Sequence, residues 1–311
     1  MKTTITARFP ARLKRGDLVR VISPAGPADP YLIDLGTDRL LGWGLRAEVA
    51  PHAAERVGFL AGEDSERLED LTQALIDPTV SGVFCTRGGY GAVRLMDGLP
   101  WEQLAKLPPK AFVGFSDIGV VQANLWARSG WVTFSGPQVA HGLGGDISDR
   151  TEAHLRAALE GGIFGPICWP GGESIHLTPV QPGRAKGTLL PICLTMLIVM
   201  IGTPYMPNLD GVILCLEDTA EPPYRIDRMF WQLAMSGVAK NIAGLVLGSF
   251  AFRGADVSED AAISAQYYFG DRNVPIWKGI PYGHQDERLT LPVGAPSSIS
   301  GDGIIAIEAG A

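Results

Sequence analysis

Four short stretches place chemistry-bearing residues just after apolar, strand-like runs or inside a loop. Arg87-Gly88-Gly89-Tyr90-Gly91-Ala92 follows the run Val80–Cys85. Glycines at a strand-to-helix turn let backbone N–H groups face an anion, as phosphate sites and oxyanion holes require. The alternative is a tight turn that needs positive φ. The spacing is neither G-x-G-x-x-G nor G-K-[ST], which excludes a P-loop. Gly114-Phe115-Ser116-Asp117 closes a second apolar run. A serine on such a turn lifts its hydroxyl above a sheet, although position 118 is Ile where a G-x-S-x-G elbow has Gly. Ser and Asp are equally good helix caps. Leu214-Cys215-Leu216-Glu217-Asp218 puts two carboxylates at a strand end, where they can orient a histidine, cap the helix after Pro222, or pair with Arg225 or Arg228. Glu221 and Asp227 add to this acidic group. His284 lies in the Gly/Pro-rich loop Gly279–His284, the type of segment on which scaffolds present function.

Metal chemistry has no comparable signal. His52, His141, His154, His176 and His284 stand in no zinc spacing, and Cys85, Cys168, Cys193 and Cys215 form no C-x-x-C pair. The reading is no metal, with free thiols of a reducing compartment. Net charge is -7 and pI about 5.3, and no run of four basic residues occurs. Nucleic acid is therefore excluded as a partner. The greasiest stretch, Leu189–Ile201, contains Pro191 and is shorter than a bilayer span, and the first residues lack a signal-peptide apolar segment. The expectation is a cytoplasmic protein with no membrane contact.

Positioning these residues requires a scaffold. The chain of 311 residues, 46% hydrophobic and 19% charged, suffices for about two domains. Strand signals at Leu18–Ile22, Val80–Cys85 and Ala111–Phe115 alternate with helical spacing over Asp64–Ile76 and Ile118–Ala127. That alternation predicts parallel βαβ units. Residues 161–184 are rich in Gly and Pro and read as a linker. Beyond them come a buried helix (Leu194–Ile201), a strand (Gly211–Leu216), an amphipathic helix (Tyr224–Ser236), a strand (Ile242–Leu247) and short β-segments from Arg288 to Ile307. The fold class is α/β: an open parallel-sheet domain over 1–160, then a smaller α/β domain over 185–311 rich in short β-segments.

The sequence resembles the LD-carboxypeptidase family of serine peptidases, which includes muropeptide LD-carboxypeptidases and microcin C immunity peptidases. The resemblance rests on Ser23-Pro24, Ala61-Gly62-Glu63-Asp64, Glu66–Leu71, Thr86–Ala92, Gly114–Asp117, Thr133–Pro137, Ile201–Pro204, Leu216–Asp218, Tyr224–Arg228, Gly283-His284 and Thr290–Gly294. Each motif alone is weak, but together they run in the family's order over nearly the whole chain. The resemblance implies Ser116 as nucleophile, His284 as base and Glu217 as its orienting carboxylate, with the serine on the first domain and the other two on the second. It also implies an oxyanion hole from the Gly89 and Asp117 amides, and substrate contacts at Arg87, Tyr90, Pro191, Cys193 and Tyr224. The implied reaction removes a terminal D-amino acid from a peptidoglycan tetrapeptide during wall recycling. A homodimer is implied as well, and a reaction that needs no metal or organic cofactor. In one departure, Pro191-Ile192-Cys193 replaces the family's Gly-Gly-Asn and is expected to narrow specificity. Competing readings are a microcin-immunity-type peptidase and a non-catalytic ligand-binding homologue.

Overall fold

The computed structural model describes residues 5–161 and 164–308. Five strands of the first half form a parallel array: β1 (Leu18–Ile22), β2 (Arg46–Val49), β3 (Val80–Cys85), β4 (Ala111–Gly114) and β5 (Thr133–Ser135). They are connected through α1 (Pro30–Gly42), α2 (Asp64–Ile76), the one-turn α3 (Trp101–Leu104) and α4 (Gly119–Ser129), with α5 (Asp149–Glu160) following. Helix α2 has the expected bounds. Its buried Leu71, Ala74 and Leu75 share one face, and a reciprocal bond between Glu63 and Glu66 caps its start.

The second half supplies β6 (Gly165–Pro166), β7 (Thr178–Gln181), β8 (Ala185–Cys193), β9 (Val212–Thr219), β10 (Gly244–Phe252), β11 (Ala255–Asp256), β12 (Ile276–Lys278), β13 (Leu291–Val293), β14 (Ala295–Ile299) and β15 (Ile305–Ile307). Its helices are α6 (Leu194–Met200), α7 (Pro223–Met235) and α8 (Ser258–Phe269). The second sheet runs β6-β15-β14-β8-β9-β10-β12-β7, with β11 paired to β10. Its centre, β8-β9-β10-β12, is parallel. Strand β13 crosses back and pairs antiparallel with β5, closing an edge of the first sheet.

Successive residues of the central strands feed two cores, as a sheet covered on both faces requires. Leu190, Ile192, Leu214 and Leu216 pack with Phe230 and Leu233 of α7 and with Val121 and Leu125 of α4. Leu189, Ile213 and Cys215 pack with Phe115, Trp277 and Tyr282 on the other side. The halves thus share continuous apolar packing. No helix among the described residues is long and apolar enough to cross a membrane.

One expectation needs correction. The stretch read as a linker, 161–184, contributes β6 to one edge of the second sheet and β7 to the other. Between them Ile167, Trp169, Ile175 and Leu177 are buried. Proline is compatible with edge strands, so a Gly/Pro-rich sequence conceals this strap from periodicity arguments. Gly162 of that stretch lies outside the described residues.

His154 of α5 fastens the segment leading into β13. The N–H of Thr290 donates to its Nδ1 at 3.1 Å, which requires an unprotonated nitrogen there. Burial drives this imidazole down to about 4. In the unfolded chain it protonates at about 6.5, so the unfolded state binds more protons between these values. Stability should be full above pH ~6.5 and decline by up to about 3 kcal/mol as pH falls to ~4. Urea denaturation across this range should show that slope in the parent protein and a flatter one in His154→Gln.

Candidate active site

Strand β4 ends at Gly114, Phe115 is extended, and Ser116 turns into the left-handed region at φ 62°. A non-glycine residue there stores roughly 1–3 kcal/mol of strain, which only surrounding structure can hold. Two glycines make the turn feasible. A Cβ on Gly114 would stand 2.4 Å from Ile118 Cγ2, and one on Gly88 would stand 2.8 Å from the Ser116 Cβ. Ser116 opens a short 3-10 turn, Ser116–Ile118, and neither it nor Asp117 caps α4. The arrangement has the backbone geometry of a nucleophile elbow, and the capping alternative falls, since Ile118 stands at the N-cap of α4. Asp117 instead accepts the N–H of Ala92 at 2.8 Å, tying the elbow to the glycine turn, and burial pushes its carboxyl up to about 6.

The glycine turn is fixed from several sides. Gln138 accepts the Gly88 N–H at 3.1 Å, and the Gly88 carbonyl accepts from Gly26 N at 3.0 Å. Arg67, 1% exposed, donates to the carbonyls of Pro24 (2.5 Å) and Gly91 (3.1 Å) and pairs with Asp64. Among the described residues, the backbone N–H groups of Gly89 and Asp117 have no hydrogen-bond partner. A Cβ on Gly88 would come within 3.1 Å of the Asp117 nitrogen, so the two turns are neighbours. Free N–H donors beside a strained serine suit a developing oxyanion.

Glu217 and His284, 67 positions apart in sequence, meet at the C-terminal end of the second sheet. Glu217 is fully buried on β9, and its Oε2 lies 2.7 Å from His284 Nδ1. The loop carrying His284 is held by Ser249 N–H donating to the Tyr282 carbonyl (2.9 Å) and Leu289 N–H donating to that of Pro281 (2.7 Å). Gly283, at φ 135°, permits the approach, since a Cβ there would overlap Ser249 Oγ at 2.1 Å. The Tyr282 and Ser135 hydroxyls, 2.8 Å apart, link this loop to the first sheet. Across the junction the Phe115 ring packs on the His284 ring, centroids 4.6 Å apart. No hydrogen bond joins Ser116 to His284 among the described residues. Such bonds often tighten only when substrate is bound.

The remaining acidic residues serve separate ends. Asp218 accepts the backbone N–H and hydroxyl of Thr195, both at 2.8 Å, and so holds the start of α6. Burial, then the Glu217 charge, pushes it up to about 6. Glu221 pairs with Arg225 at 3.0 Å, and Asp227 accepts from Ser264 and Tyr268. Apart from these, His52, Glu55 and Glu66 have ligand-type atoms within 4.8 Å of one another, and Asp70 holds His52 Nδ1 at 3.0 Å, leaving Nε2 as the open ring nitrogen.

The other expected contacts scatter. Arg87 lies over the Pro27 carbonyl (3.3 Å), exposed Tyr90 packs on Phe59, and Tyr224 projects from α7 at 68% exposure. Pro191 and Cys193, expected against substrate, are buried in β8, where Cys193 pairs in register with Glu217. Ile192 is 1% exposed, and a Cβ on Gly119 of α4 would stand 3.1 Å from its Cγ1. These residues are core and helix-start packing. Two residues beside the site that no motif assigns to it are His141 and Arg288, the latter signalled in sequence by its place four residues beyond His284. Replacing 191–193 by Gly-Gly-Asn should cost several kcal/mol, since losing a buried isoleucine alone costs about 2–5 kcal/mol. Chemical denaturation should reveal that loss, and KM for any substrate turned over should be unchanged.

With the geometry established, comparison with known proteins gives a consistent family. The LD-carboxypeptidase N-terminal domain matches residues 19–136 and the LD-carboxypeptidase C-terminal domain residues 186–299. The murein tetrapeptide carboxypeptidase of Pseudomonas aeruginosa is 33% identical over 298 residues, covering 91% of this chain and 93% of its own. Among solved structures, muramoyltetrapeptide carboxypeptidase from Oxalobacter formigenes is 31% identical with TM-score 0.78, covering 94% of this chain and 99% of that one. An MccF-like protein from Bacillus anthracis is 26% identical with TM-score 0.86, covering 97% and 99%. Two matched domains in order, on a scaffold superposable over nearly its whole length, make this chain a member of the LD-carboxypeptidase family and a hydrolase of the carboxypeptidase type.

Proposed function

We propose that the protein is a serine LD-carboxypeptidase that releases a terminal D-amino acid, D-alanine, from a peptidoglycan-derived tetrapeptide. The observation that carries this reading is the pairing of buried Glu217 with half-buried His284 at 2.7 Å, set through Phe115 against a serine held at φ 62°. Ser116 Oγ attacks the carbonyl carbon of the last peptide bond, and its proton passes to the His284 nitrogen that does not face Glu217. Glu217 holds the ring orientation and stabilises the imidazolium. The carbonyl oxygen, now anionic, is received by the N–H groups of Gly89 and Asp117. His284 then gives its proton to the leaving nitrogen as the C–N bond breaks. Water, activated by the same histidine, releases the peptide from Ser116.

A second reading, a microcin-immunity-type peptidase acting on a peptidyl-nucleotide, draws on the TM-score of 0.86 to the MccF-like protein. Identities of 31–33% to the two tetrapeptide carboxypeptidases, against 26%, favour the first. The proposal extends to a cytoplasmic homodimer through family resemblance alone, to be checked by sedimentation and fractionation. Incubation with a muropeptide tetrapeptide should release free D-alanine, and a peptidyl-nucleotide should be a much poorer substrate. Ser116→Ala and His284→Ala should each lower turnover by roughly 10⁵–10⁶ without unfolding the protein, and Glu217→Gln by about 10⁴. Near parental activity in Ser116→Ala would end the assignment. Chelator treatment should leave the rate unchanged, whereas a serine-directed reagent should abolish it with the adduct on Ser116.

A further inference from the structure

A carboxypeptidase must distinguish a peptide's free C-terminal carboxylate from an internal amide, and the triad itself has no means of doing so. Two guanidinium groups stand beside the proposed site without a carboxylate partner. Arg288 lies four residues beyond His284, with its guanidinium carbon 5.6 Å from the centre of the Phe115 ring that packs on His284. It donates to the carbonyls of Gln285 (2.9 Å) and His141 (3.2 Å), while its Nε is buried with no partner. Arg87 opens the glycine turn. A Cβ on Gly89 would sit 3.5 Å from an Arg87 terminal nitrogen, and the Arg87 Nε is likewise buried and unpaired.

Neither arginine forms an ion pair among the described residues, and each keeps a buried Nε without a hydrogen-bond partner, whereas Arg67 and Arg156, whose Nε is also unpartnered, are ion-paired. Leaving a partly buried cation unpaired is costly, and the planar fork of a guanidinium fits a carboxylate in two-point contact. His141 connects the two arginines. Its N–H donates to the Thr86 carbonyl at 3.3 Å, adjacent to Arg87, and its own carbonyl holds Arg288. Burial, then the charges of Arg87 and Arg288, keeps its imidazole below the usual value. Glu217 and Asp286 lie close enough to act on Arg288 electrostatically, but Glu217 is engaged by His284 and neither forms an ion pair with the arginine among the described residues.

We propose that Arg87 and Arg288, spaced by His141, bind the free carboxylate of the departing C-terminal residue and thereby make the enzyme an exopeptidase. This rests on the reading of the protein as a serine LD-carboxypeptidase. The same chemistry could be offered by an acidic side chain inside the peptide, so the test separates the two sources. Three synthetic tetrapeptides are compared with the full-length chain: one with a free C-terminus, one with a C-terminal amide, and one with a free C-terminus and its internal carboxylates amidated.

The parental enzyme should lose about 100-fold or more in kcat/KM on C-terminal amidation and far less on internal amidation. In Arg87→Met and in Arg288→Met the acid-to-amide ratio should fall at least tenfold, chiefly through KM. Arg87→Lys should lie between them and the parent, since it keeps the charge but not the fork. If either methionine variant lowers acid and amide substrates equally, that arginine only holds its turn or loop, and the assignment is overturned. Loss of discrimination only against the internally amidated peptide overturns it as well, because the arginines would then read a side chain. A parent that cleaves none of the three removes the carboxypeptidase reading itself, and this assignment with it. That result differs from one in which the parent cleaves all three without preference, which refutes the arginine pocket and leaves serine peptidase activity standing.

Discussion

Glu217 is a carboxylate with no exposure to solvent, at the end of a strand packed on both faces. Burying such a group is expensive unless a hydrogen-bonding partner is brought to it. The partner is His284, and much of the surrounding architecture follows from delivering that imidazole to within 2.7 Å. Gly283 must lack a side chain so that its loop can run against Ser249 and Glu217, and a Cβ on Gly248 would meet the Tyr282 carbonyl at 2.2 Å. The Tyr282 hydroxyl then meets Ser135 of the first sheet. Through this chain of contacts, the cost of one buried charge fixes the path of a loop and helps set how the second sheet approaches the first.

The serine side obeys a different constraint, which is steric. Ser116 keeps its left-handed conformation because Gly114 and Gly88 allow backbone and side chains to close in around it. Gln138, which accepts from Gly88 and donates to the Phe115 carbonyl, and Asp117 tie the glycine turn to the elbow, while Arg67 anchors that turn to the Pro24 carbonyl. The elbow is therefore rigid at its base while the N–H groups of Gly89 and Asp117 stay uncommitted. Both sites stand at C-terminal ends of parallel strands, β4 in one sheet and β9 in the other, where α/β folds leave room for a ligand.

Shared packing keeps the two sides in register. Ile192 reaches α4, which begins three residues after Ser116, so the strand beside Glu217 also braces the helix behind the elbow. Strand β13 inserts into the first sheet only seven residues beyond His284. Displacing either contact would move the histidine relative to the serine. A bulky apolar Pro-Ile-Cys segment at this position is then understandable as packing, whatever its chemistry would have suggested at the edge of a pocket.

Local patterning determined much of this protein by itself. Apolar spacing defined α2, β1 and β3 at their observed bounds, because amphipathic periodicity and buried-strand runs are set by neighbours in sequence. The order of short motifs from Ser23 to Gly294 carried the family, and with it the proposed roles of Ser116, Glu217 and His284. Other features depended on contacts between distant segments. Whether Ser116 capped a helix or turned an elbow was decided by φ, which Gly88, 28 positions earlier, makes possible. The strap between β6 and β7 looked like a linker because edge strands tolerate glycine and proline. Pro191 and Cys193 looked like pocket residues until Gly119 and Glu217 were found against their strand. The approach of Arg288 to His141, 147 positions apart, left no local trace at all. Periodicity records which face of an element is buried, but only the tertiary structure decides what that face is buried against, since packing energy depends on partners that sequence spacing does not encode.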